Sequence, residues 1–220
     1  MKQILRHIPY VLLLGAIFIS PVVKADTWDD PRVLTYYSQN KEYKLVVTPR
    51  ILPEKYLQWH YYKSNKHPQT ARFLRRKEKF MRNILPQDTM LIPCTGKLYR
   101  FHDADSVLLW EKVFLNDISP VYAIVADDGS IVASFDNWHS KGYGVNVFVV
   151  YNEKGEAKRT YKLEEFSPFP LNDYSRSVSS ISWYKKVWFL DNERIELAFQ
   201  TEDGRRSNRI YNVRTFEFEN

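Results

Sequence analysis

Three times along this chain an apolar, β-rich run meets a short polar turn containing glycine, and a second run follows. Residues 121–126 lead into Asp127-Asp128-Gly129 and residues 131–135 leave it. Residues 147–151 lead into Glu153-Lys154-Gly155-Glu156, with 158–163 after it, and residues 195–200 lead into Glu202-Asp203-Gly204, with 210–218 after it. Two apolar runs joined by such a turn are the strongest short-range sign of a β-hairpin, because glycine takes the positive φ that the turn requires. Three copies make antiparallel β the dominant class. Residues 43–48, ended by Pro49, and residues 96–101 and 107–115 read as further strands.

The first 25 residues carry a different signal. Lys2, Arg6 and His7 precede an apolar stretch over residues 8–19, and Val23-Lys24-Ala25 follows. A basic start, a short apolar centre and small residues at −3 and −1 mark a secretory signal peptide, with cleavage expected after Ala25. The apolar stretch is about 12 residues, whereas spanning a bilayer takes roughly 20. The expected mature chain, residues 26–220, is one domain in size, 220 − 25 = 195 residues, and is secreted or periplasmic. That location argues against kinase, Rossmann-type and nucleic-acid-binding functions. A single cysteine, Cys94, excludes an internal disulfide framework and a cysteine-only zinc site.

Charge is unevenly distributed. Removing Lys2, Arg6 and Lys24 leaves 29 − 26 = +3 on the mature chain. Residues 63–82 hold eight Lys or Arg and one acid, Glu78, a local +7, so the remainder carries 3 − 7 = −4. Within this region residues 69–85 follow a helical period. At 100° per residue, Arg72, Arg75, Arg76, Lys79 and Arg82 share one face, while Phe73, Leu74, Phe80, Met81, Ile84 and Leu85 share the other. Thr70 is placed to cap the start, and Pro86 ends the pattern. The expectation is one basic helix inserted between strands, its apolar face docked on the β core. Beside it runs Trp59-His60-Tyr61-Tyr62. Aromatic rings next to cations suit sugars, anionic glycans or lipid headgroups.

Residues 121–136 read Val-Tyr-Ala-Ile-Val-Ala-Asp-Asp-Gly-Ser-Ile-Val-Ala-Ser-Phe-Asp, and this resembles the inner hairpin of an exported β-propeller blade. Residues 147–163 are similar to the outer hairpin of that blade. Gly96-Lys-Leu-Tyr-Arg and Leu109-Trp-Glu-Lys-Val resemble outer strands of a preceding blade, and residues 187–218 a third. A blade has four strands in roughly 40–50 residues, and closed propellers usually have at least four blades. The resemblance therefore implies an open, partial propeller-like stack of small sheets, with a β-sandwich or barrel as the alternative. It implies no particular activity.

Candidate chemistry concentrates in Asp136-Asn137-Trp138-His139-Ser140-Lys141-Gly142-Tyr143-Gly144, between two expected strands. Asp136 could orient His139 as a general base. In the plainer alternative the loop is a structured connection: Asp136 and Asn137 bond to backbone amides, Trp138 packs beneath, and the glycines supply positive φ. His102-Asp103-Ala104-Asp105-Ser106 puts two carboxylates beside a histidine, but it lacks the glycine and the oxygen count of a calcium loop. There is no G-x-S-x-G, no phosphate-binding glycine loop and no recognisable metal-ligand set, so no cofactor or metal is expected. Cys94 is expected to be half-buried and inert.

Three functions fit. The first is an exported, non-catalytic binding or interaction module that meets an anionic glycan, a lipid headgroup or an envelope protein through Arg72, Arg75, Arg76, Lys79, Arg82, Trp59, Tyr61 and Trp138. The second is a hydrolase using Asp136 and His139. The third is a structural accessory subunit of an envelope assembly.

Overall fold

The computed structural model describes residues 27–219 apart from 65, 103 and 104, so the expected signal peptide lies outside the described residues. The chain is mainly β. The elements run β1 (Leu34–Tyr37), β2 (Tyr43–Thr48), α1 (Glu54–Lys63), α2 (Ala71–Arg82), β3 (Thr95–His102), β4 (Asp105–Val113), β5 (Pro120–Val125) and β6 (Val132–Asn137). They continue with β7 (Phe148–Tyr151), β8 (Ala157–Tyr161), α3 (Leu163–Phe166), β9 (Ser175–Arg176), β10 (Ile181–Ser182), β11 (Tyr184–Asp191), β12 (Arg194–Gln200), β13 (Arg206–Asn212) and β14 (Glu217–Phe218). Three sheets are four-stranded antiparallel meanders in chain order, β1-β2-β3-β4, β5-β6-β7-β8 and β11-β12-β13-β14; β9 and β10 form a small fourth sheet.

All three glycine turns join adjacent antiparallel strands. Gly129, Gly155 and Gly204 have φ of 71°, 71° and 88°. Each donates its N–H three residues back, to Ala126, Asn152 and Thr201, at 3.0, 2.9 and 3.1 Å. The expected last strand over residues 210–218 is corrected. It divides into β13 and β14 around a turn at Asn212, whose Oδ1 accepts from the N–H groups of Arg214 and Thr215. These strands pair with each other and with β12, while Tyr43–Thr48 pairs with β1 and β3, so among the described residues no ladder joins the last strands to β2.

Side-chain alternation shows how the large sheets stack. In the β5–β8 sheet, Ala123, Val125, Val132, Val149 and Tyr151 join a core with Leu45, Val47, Leu98 and Trp110 of the first sheet. Their neighbours Ile124, Ala133, Phe135, Phe148 and Val150 join a second core with Ile195, Leu197, Phe199 and Tyr211 of the third. Successive strand residues point to opposite faces, so the middle sheet is covered on both. That explains why β5 and β7 are apolar almost without interruption, whereas β8, at the sheet's outer edge, is polar and exposed. The second core is rich in rings: Phe135 stacks on Phe148 at 5.1 Å, and Phe148 meets Tyr211 edge-on at 4.9 Å.

The helical insertion lies between β2 and β3. At its base Ile51 and Ile92 exchange both backbone hydrogen bonds, at 2.9 and 3.0 Å. Beside this clasp, the Arg50 N–H donates to Ile118 O at 2.8 Å and its guanidinium pairs with Asp117 at 2.6 Å. The structure corrects the sequence reading here in two ways. There are two helices, because the aromatic run at residues 59–62 belongs to α1. Neither helix contains a buried residue, so the apolar face of α2 does not dock into the β core. Its rings meet α1 instead: Phe73 and Phe80 pack on Tyr62 at 5.6 and 5.2 Å, and His67 lies 3.9 Å from Tyr61. Thr70 caps α2 as expected, its Oγ1 accepting from Phe73 N–H at 3.2 Å.

Candidate functional site

The loop after β6 is held by the Asp136 carboxylate. Oδ1 accepts from Gly142 N–H at 2.7 Å and from Trp183 Nε1 at 3.0 Å. The side chain is fully buried, and among the described residues Oδ2 has no hydrogen-bond partner. Burial pushes this carboxyl up from 3.8 to about 6, against the opposing pull of Trp183, Lys141 and Gly142. His139 is exposed, and its ring lies 5.6 Å from Trp28. The Asp136 hydrogen bonds therefore go to Gly142 and Trp183, and the carboxylate–imidazole contact that a general base needs is not formed. Asp136 and His139 both have positive φ, 61° and 69°, as do Gly142 and Gly144, so the segment is a wound connection pinned by one carboxylate. Asn137 donates to Val145 O at 2.8 Å, and its Oδ1 accepts from the Asn116 side-chain amide at 3.3 Å. Trp138 is half-buried. It packs against Trp28 at 5.6 Å and donates to Asp29 O at 3.0 Å.

Cys94 is buried more deeply than expected, at 1% exposure, and burial pushes its thiol up to about 12, leaving almost no thiolate at neutral pH. The turn that includes Asp103 and Ala104 lies partly outside the described residues. Among the described residues, no group of three or more His, Cys, Asp or Glu side chains is placed to hold a metal ion.

The basic residues are brought together. Arg72, Arg75, Arg76, Lys79 and Arg82 are all exposed on α2. Arg82 pairs with Glu78, and Arg75 Nε donates to Ala71 O at 3.3 Å. Trp59 is half-buried on α1 with Lys63 Nζ 4.7 Å above its ring, and Tyr61 is half exposed. Arg76 and Lys79, with Lys55 from α1, edge a groove of about 530 Å³ that also touches Tyr62, Phe80 and Ile84. Lys55 reaches across to Asp88 at 2.9 Å, which ties α1 to the turn after α2. Asp88 is held below the usual carboxylate range, first by the Leu85 N–H and then by Lys55. Seven of the eight proposed binding residues thus belong to one helical hairpin. Trp138 sits apart, against Trp28.

One concave feature was not foreseen. A cleft of about 750 Å³ opens between β5 and β11, with Tyr37, Tyr122, Tyr184 and Trp188 among its walls. Lys186 Nζ lies 4.6 Å over the Trp188 ring. β5 and β11 are edge strands of their sheets. No protein-family model matches the chain, and no curated protein matches it either.

Proposed function

We propose that this chain is an exported, non-catalytic binding module, released after Ala25 into the periplasm or medium, that contacts anionic envelope surfaces through its basic helical hairpin. One observation carries the reading: a local charge of +7 sits on an insertion whose helices bury nothing in the core, beside a remainder of −4. A hairpin kept only for stability would place its apolar face on the sheets. Clustered exposed cations add their fields and draw an anionic partner. The sheets serve as a propeller-like frame. In support, each large sheet is a four-stranded meander in chain order, and the first strands β1 and β11 both lie against β5.

Exposed charges are screened beyond about 10 Å at 0.1 M salt, so binding through them weakens as salt rises. The test is retention on heparin-like resin and on anionic vesicles, for wild type and for Arg75→Glu/Arg76→Glu. Wild type is retained at low salt on at least one matrix, and the double variant elutes early. Equal behaviour on both would leave the cations as a solubilising face only.

A second reading, an accessory subunit of an envelope assembly, draws on β11, whose outer edge pairs with no strand among the described residues and lines the 750 Å³ cleft. An open edge is a ready template for pairing with another chain. Capture of a partner that protects β11 amides from hydrogen exchange would favour it.

A further inference from the structure

We infer that the surface met by the helical hairpin is an anionic phospholipid bilayer, with exposed aliphatic side chains entering the interface while the cations meet headgroup phosphates. This rests on the proposed function and names its partner.

The first support is where the rings go. A glycan site needs several open aromatic faces side by side, but here Phe73 and Phe80 both pack on Tyr62 in the seam between the helices, and Tyr61, half exposed, has His67 against its ring. The hairpin and its flank instead expose aliphatic groups: Leu57 at 51%, Leu74 at 45%, Leu85 at 51%, Met90 at 64% and Ile92 at 51%. Aliphatic side chains gain little from a sugar or a soluble polyanion, and they gain by leaving water for acyl chains.

The second support is the order of faces around α2. At 100° per residue, Phe73 and Phe80 mark the side toward α1. Met81 and Leu74 lie next, about 80–120° further round, and Leu85 continues that line past the helix end. Lys77 borders the aliphatic arc on its near side; on the far side Glu78, paired with Arg82, and Ala71 come first, then Arg82 and Arg75, with Lys79, Arg72 and Arg76 beyond them. An interfacial helix has this arrangement: an apolar arc facing the membrane, with long cationic side chains at its border reaching up to the phosphates. The groove edged by Lys55, Arg76 and Lys79 over Phe80 and Ile84 repeats the pairing of cation and apolar floor on the other side of α2. Among the described residues no helix is long and apolar enough to cross a membrane, so the hairpin lies on a leaflet rather than through it.

The test uses vesicles of phosphatidylcholine with and without phosphatidylglycerol, heparin-like resin, and three variants. Leu74→Ser/Leu85→Ser removes the apolar arc, Arg75→Glu/Arg76→Glu reverses charge, and Leu74→Cys carries an environment-sensitive dye. The native thiol of Cys94 is buried and does not compete for the label. Wild type is expected to sediment with phosphatidylglycerol vesicles and not with phosphatidylcholine alone, and each double variant to lose about tenfold or more in affinity. The dye should brighten on binding and be quenched by lipids brominated in the acyl chain. Leu74 and Leu85 are exposed, so unchanged thermal unfolding of the serine variant confirms that folding is intact. Retention on heparin-like resin without vesicle binding overturns the bilayer and leaves the anionic-surface function standing. Vesicle binding by the serine variant at wild-type strength, with an unquenched dye, overturns it equally. If charge reversal alters neither binding, the bilayer and the broader function both fall.

Discussion

Trp183 donates its indole N–H to Oδ1 of Asp136 across 3.0 Å, and this contact links the end of β6 in the middle sheet to the start of the third. Trp183 sits just before β11 with no exposed surface, packed edge-on against Phe166 at 5.2 Å. The same Asp136 oxygen fixes the loop through Gly142. One carboxylate oxygen therefore serves both the packing of two sheets and the path of a connection. Its partner oxygen, Oδ2, is buried with no hydrogen bond from any of the described residues.

That arrangement sets a pH dependence. The carboxyl titrates at about 6 in the fold against 3.8 ordinarily. Between these values the folded chain holds a proton that the unfolded chain has released. Stability from this group is therefore complete below 3.8 and is lost as pH rises toward 6. Above that the cost is on the order of 3 kcal/mol. Urea unfolding at a series of pH values should show Asp136→Asn flattening this fall relative to wild type. A wild-type-minus-variant difference that does not change with pH contradicts it.

Three aromatic and imidazole positions should separate by burial. Trp183→Ala should cost about 3–5 kcal/mol or more, because it opens a cavity and removes one of the two donors to the buried Asp136 carboxylate. Trp138→Ala, at a half-buried ring, should cost about 1–2 kcal/mol. His139→Ala should cost about 1 kcal/mol or less. Chemical denaturation of the three variants gives the order, and a Trp138 loss equal to that of Trp183 would show the Trp28 contact to be a true core.

Two turn glycines differ in what surrounds them. A Cβ on Gly129 would stand 2.2 Å from the Tyr43 ring, which is 6% exposed and has no room to swing aside. A Cβ on Gly204 meets nothing within 4 Å. Both have positive φ, worth about 1–2 kcal/mol for a side chain. Gly204→Ala should therefore cost about that amount, and Gly129→Ala about 2–5 kcal/mol once overpacking is added. Paired melting curves test the ranking.

Export gives a direct readout. Protein recovered from a secreting host should begin at Asp26, as read by N-terminal sequencing. Protein beginning at Met1 and held in the membrane would replace cleavage with an anchor.

The sheets were largely legible because most strands' neighbours lie a few residues away; the exception is β2 and β3, which pair across the helical insertion. Gly129, Gly155 and Gly204 marked the turns, and the alternating runs beside them supplied the pairing partners. The middle sheet was legible as β but not as central, since burial on both faces depends on sheets formed by distant residues such as Leu45 and Leu197. α1 was missed because its Tyr61 and Tyr62 face α2, and nothing in residues 54–63 alone identifies that partner. The apolar face of α2 was read correctly, but its contact was not. A short helix usually stabilises itself on a core, and here Phe73 and Phe80 found a second helix instead. The cleft left no local trace because Tyr37, Tyr122 and Tyr184 come from three separate strands. The pairing of Asp136 with Trp183, 47 residues apart, was equally invisible, whereas Asp136 and His139 looked like partners only because they are neighbours in sequence.

The clasp between Ile51 and Ile92 brings the chain back to where it left the sheet, so the framework registers only that the two ends meet. Closing a longer loop at a fixed neck is cheap, about 0.6 kcal/mol for each doubling of its length. Residues 52–91 are thus free to lengthen, shorten or change character while β2 and β3 keep their register. The protein's selectivity and its architecture can consequently drift at different speeds. A foreign segment spliced between the two isoleucines should be carried by an unaltered scaffold.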